Sequence, residues 1–109
     1  MTTTAPKVYE PGDEVAITFN VTDNAGVDYD PATVKFHYTN PAGTLSTKIV
    51  GTDSVATKVS TGHYKLLIYI PYAAASVGEW NYDAQGLDGS NNSLLVEQGT
   101  FRVKAIRTI

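Results

Sequence analysis

Between Glu14 and Thr22 the apolar residues Val15, Ile17, Phe19 and Val21 alternate with Ala16, Thr18, Asn20 and Thr22. A spacing of two puts all four on one side of a β-strand, whereas a helix would scatter them around its circumference. That side must be covered by a second apolar surface. The chain repeats the same demand in Val34, Phe36 and Tyr38, in Tyr64, Leu66, Ile68 and Ile70, in Trp80, Tyr82 and Ala84, and in Phe101 and Val103.

Turn signals separate these runs. Pro11, Gly12 and Asp13 precede the first alternating strand, Asp23 to Gly26 end it, and Asn40, Pro41, Ala42 and Gly43 follow the second. Proline supplies a fixed φ in such turns, glycine a positive one, and Asp and Asn bond to their own backbone. A short strand is expected within Lys7 to Glu10. Thr44 to Val50 is β-branched but alternates poorly, as an edge strand does, and Val55 to Val59 is expected to pair briefly. Pro71 closes the Tyr64 to Ile70 strand because it cannot donate to a ladder, and Tyr72 to Ser76 reads as a crossover with one helical turn. Short strands between turns, with no room for crossover helices, predict an all-β fold: an immunoglobulin-like antiparallel β-sandwich of about seven strands.

With 109 residues the chain is expected to form one such domain, 1–109, with an N-terminal arm at 1–6 and a C-terminal tail at 105–109. It has no cysteine, so neither disulfides nor thiolate-bound zinc can staple it. Eight Lys and Arg against eleven Asp and Glu give a net charge of -3, unlike a surface that collects phosphates, so nucleic acid is not an expected partner. Met1 to Lys7 lacks the apolar core of a secretory signal, and no run of apolar residues is long enough to span a bilayer, so no membrane partner is expected.

Chemistry-bearing constellations are sparse. His37 falls on the outward face of its strand and His63 in a turn, neither beside a nucleophile elbow. Glu79 and Asp83 share one strand face, which gives no reason for the raised pKa of an acid catalyst. No enzyme activity and no cofactor are therefore expected. Asp23, Asp28 and Asp30, with Asn24 and Gly26, are weak calcium candidates, but a calcium loop of the EF-hand type needs a glutamate where Val34 stands. Turn chemistry accounts for the same residues. The expected partner contact is Leu67, Tyr69 and Tyr72: Leu67 and Tyr69 face away from Tyr64, Leu66, Ile68 and Ile70. They are either covered by the 72–76 crossover or form a contact patch for another chain.

Tyr9, Pro11, Gly12 and Asp13, then Asp23 to Gly26 with Asp30 and Pro31, Asn40 to Gly43, Thr61, Gly62 and Tyr64, Gly78 with Trp80, and Gln98, Gly99, Thr100 and Phe101 together resemble a small immunoglobulin-like virion structural protein of tailed bacteriophages. The resemblance spans nearly the whole chain and departs from it in the longer 52–63 segment and at Tyr72 to Ala75. It implies a non-enzymatic structural accessory at the capsid surface, the head-tail junction or the tail. Its partners would be other virion proteins, in a homo-oligomer or high-copy assembly, and it would be made in the bacterial host cytoplasm and reside in the virion. The less favoured alternative is an immunoglobulin-like module that binds carbohydrate or a cell surface, for which Tyr29, Tyr69 and Tyr72 are the stacking candidates.

Overall fold

The computed structural model describes residues 8–90 and 92–105. The proposed arm at 1–6 lies outside them, as does the proposed tail beyond its first residue. Eight strands follow in order: β1 (Val8–Tyr9), β2 (Glu14–Asn20), β3 (Thr33–Thr39), β4 (Leu45–Ile49), β5 (Ala56–Ser60), β6 (His63–Tyr69), β7 (Gly78–Leu87) and β8 (Ser93–Val103). They form two sheets, ordered β1-β8-β7-β3-β4 and β2-β6-β5. This is an immunoglobulin-like sandwich, with β2, β6 and β5 as one sheet and β3, β7 and β8 as the centre of the other. No described helix is long and apolar enough to cross a membrane.

The eight strands among the described residues agree with the expected sandwich of about seven. One pairing departs from an all-antiparallel arrangement: Val8 and Tyr9 run parallel to Arg102 and Val103. No crossover helix is needed, because β1 and β8 are the first and last described strands and the whole intervening domain is the long connection that parallel neighbours require.

The alternating residues face each other across the sheets. Val15, Ile17 and Phe19 of β2 pair in register with Ile68, Leu66 and Tyr64 of β6, and all six are buried. Opposite them lie Val34 and Phe36 of β3, Trp80, Tyr82 and Ala84 of β7, and Phe101 and Val103 of β8. Trp80 stacks between Tyr38 and Phe101, at centroid distances of 6.2 and 5.6 Å, and its indole N–H donates to the Ser76 carbonyl at 2.9 Å. That bond ties the core to the crossover, where Ala74–Ser76 forms a single 3-10 turn. The sheet centres are thus fixed by apolar packing, and their outer faces and turns remain for contact.

Candidate functional site

Asp23, Asp28 and Asp30 each serve a different partner. The Asp23 carboxylate accepts from the N–H groups of Ala25 and Val27 at 2.9 and 3.0 Å, which closes its own turn. Asp28 lies 3.2 Å from His63 Nε2. Asp30 accepts from Lys58 Nζ at 2.6 Å, the Gly62 N–H at 2.8 Å and the Tyr64 hydroxyl at 2.8 Å. Among the described residues no group of three or more His, Cys, Asp or Glu is placed to hold a metal ion.

Asp30 instead clamps the loop before β3 onto the β5–β6 hairpin. The Lys58 ammonium, then the Gly62 N–H and the Tyr64 hydroxyl, hold its pKa down at about 2. Burial, followed by the facing Asp30 carboxylate, pushes the Tyr64 phenol well above its ordinary range. Sequence reasoning missed this clamp. Asp30 beside Pro31 signals a turn, but nothing in the spacing says which hairpin the carboxylate will reach.

The two histidines are more engaged than isolated surface side chains. His37 and Asp83 are direct cross-strand neighbours on β3 and β7, and Nδ1 lies 2.7 Å from the carboxylate. His63 opens β6 rather than lying in the turn before it, and its ring meets the Asn20 side-chain oxygen at 2.7 Å as well as Asp28. Both are half-buried. The signal available was strand register: once β3 and β7 are paired antiparallel, an outward His opposite an outward Asp follows.

Leu67 and Tyr69 lie on the outer face of the three-stranded sheet, opposite Ala16 and Glu14 of β2. Leu67 is half-buried, whereas Tyr69 is 71% exposed and Tyr72 62% exposed. The crossover therefore does not cover Tyr69. Tyr72 reaches the same end of the sheet, where its ring lies 3.5 Å from the place a Cβ on Gly12 would occupy. Tyr29 is at the other end: its N–H donates to Val21, beyond the Asn20–His63 rung, while Tyr69 sits on the Glu14 rung. Six rungs separate those ends, roughly 20 Å, so Tyr29, Tyr69 and Tyr72 cannot form one stacking platform.

No family profile matches the chain, and no curated protein matches it in sequence. Among solved structures, it is similar to part of a chitinase from Paenibacillus sp., described as a bacterial cell-surface-expressed multi-modular enzyme machinery, with 18% identity and a TM-score of 0.64. The match covers 96% of this chain but only 8% of the chitinase. At that identity the likeness concerns the sandwich alone, a fold that carries many unrelated functions.

Proposed function

We propose that this chain is a non-enzymatic structural accessory of a tailed-phage virion, acting through protein–protein contacts made by the outer face of its three-stranded sheet. The carrying observation is Tyr69, 71% exposed beside half-buried Leu67, with Tyr72 at the same end. Burying side chains of this size is worth about 1.5–3 kcal/mol each, so a partner that covers the patch gains what the isolated fold forgoes. Tyrosines serve well as such anchors because they carry a large rigid area with little rotamer freedom to lose. The phage setting rests on the resemblance of the turn and core residues.

Uptake into particles assembled without this chain tests the reading. Tyr69→Ser with Tyr72→Ser should leave the fold intact and reduce uptake at least tenfold, about 1.4 kcal/mol or more. Unchanged uptake of the folded variant would remove the patch from the account, and failure of the wild-type chain to enter any particle would remove the virion role.

A further inference from the structure

We propose that the outer face of the five-stranded sheet carries a second site, a shallow one for a neutral saccharide, separate from the tyrosine patch. Strand register sets two rows of side chains side by side: His37, Asp83 and Gln98 in one, Thr39, Asn81 and Thr100 in the other. All six point away from the core because their neighbours Phe36, Tyr82 and Phe101 point into it. Together with the Tyr82 and Gly99 positions they line a depression of about 340 Å³. Asn81, Gln98 and Thr100 are exposed and Thr39 is half-buried.

The chemistry of the lining selects the ligand. Two amides and two hydroxyls can each donate and accept, as a sugar hydroxyl does. Asp83 accepts only. With the imidazole proton placed on Nδ1 toward Asp83, His37 presents Nε2 as a further acceptor. No Lys or Arg lines the depression, so nothing there neutralises a phosphate or sulfate. No exposed aliphatic or aromatic side chain lines it either, so it lacks the apolar centre of a protein–protein interface. Cross-strand neighbours stand about 5 Å apart, so several hydroxyls of one pyranose ring can each find a partner. Without a stacking ring the site is weak, with a Kd of about 1 mM for a short oligosaccharide, and gains through avidity when the module is displayed in many copies.

The test is a two-dimensional amide NMR titration of the full chain with maltotriose, cellotriose and triacetylchitotriose, each to about 20 mM, which would come near saturation at that Kd. At least one should give progressive shifts centred on residues 37–39, 81–83 and 98–100. Asn81→Ala with Gln98→Ala, both at exposed positions, should preserve the dispersed spectrum and weaken that binding at least fivefold. The proposal is overturned if none of the three sugars shifts those amides. It is equally overturned if the shifts centre on Tyr69 and Tyr72, if the folded double variant binds as before, or if inorganic sulfate reproduces them. Only shifts at Tyr69 and Tyr72 would also bear on the tyrosine patch, by making it a sugar site; every other outcome leaves particle uptake through Tyr69 untouched.

Discussion

Gly62, in the β5–β6 turn, and Asp30, which reaches it from the loop before β3, show how much of this fold is held by single residues. Gly62 has φ +74°, and a Cβ there would lie 2.6 Å from the Val21 carbonyl oxygen and 3.0 Å from the Tyr29 nitrogen. Gly26 has a similar φ of +82° with nothing within 4 Å of its missing Cβ. Gly26→Ala is therefore expected to cost about 1–2 kcal/mol in urea unfolding, from backbone strain alone, and Gly62→Ala distinctly more because strain and collision add. Equal costs would mean that the crowded packing relaxes freely. Asp30 gives a pH signature. Its pKa is about 2 in the folded chain against an ordinary 3.8, so the native state holds the ionised form, and this stabilisation is complete above about pH 4 and lost as pH falls toward 2. The thermal midpoint should drop across that window, and Asp30→Asn should flatten that part of the curve while lowering the midpoint at neutral pH. Parallel curves would show that other carboxylates set the acid limit. The pairing of Asp30 with Lys58 and Tyr64 was not legible in the sequence, since it joins residues 28 and 34 positions apart.

At the level of elements, strands whose alternate residues are buried were readable and the others less so. β2, β3, β6 and β7 each put every second residue into the core, and each was recognisable from its period of two. β5 buries only Ala56, so its side chains carry almost no trace of the pairing that its backbone makes with β6. β1 is shorter still, and its parallel partner lies at the far end of the chain. The crossover between β6 and β7 is secured through Trp80. Trp80→Ala should cost about 3–5 kcal/mol in denaturant unfolding, because it opens a cavity between Tyr38 and Phe101. Trp80→Phe should cost less but still leave the buried Ser76 carbonyl without its indole donor, at about 1–3 kcal/mol. A Phe variant as weak as the Ala variant would shift the emphasis from packing to that hydrogen bond.

For the whole molecule, the informative quantity is which outward residues stay exposed. Tyr69→Ser is expected to change folding stability by less than about 0.5 kcal/mol, and Leu67→Ser by more, because Leu67 is half-buried. Thermal unfolding of the two variants checks that order, and a large loss for Tyr69→Ser would make it part of the fold's own packing. The sequence by itself determined a two-layer β-fold, its main strands and its aromatic core, because burial of every second residue is written locally in the order of side chains. It determined neither the parallel edge strand, nor the Asp30 clamp, nor the His37–Asp83 neighbourhood, nor the exposure of Tyr69. Those depend on which strands become neighbours and in what register, and only the packing of one sheet on the other fixes that.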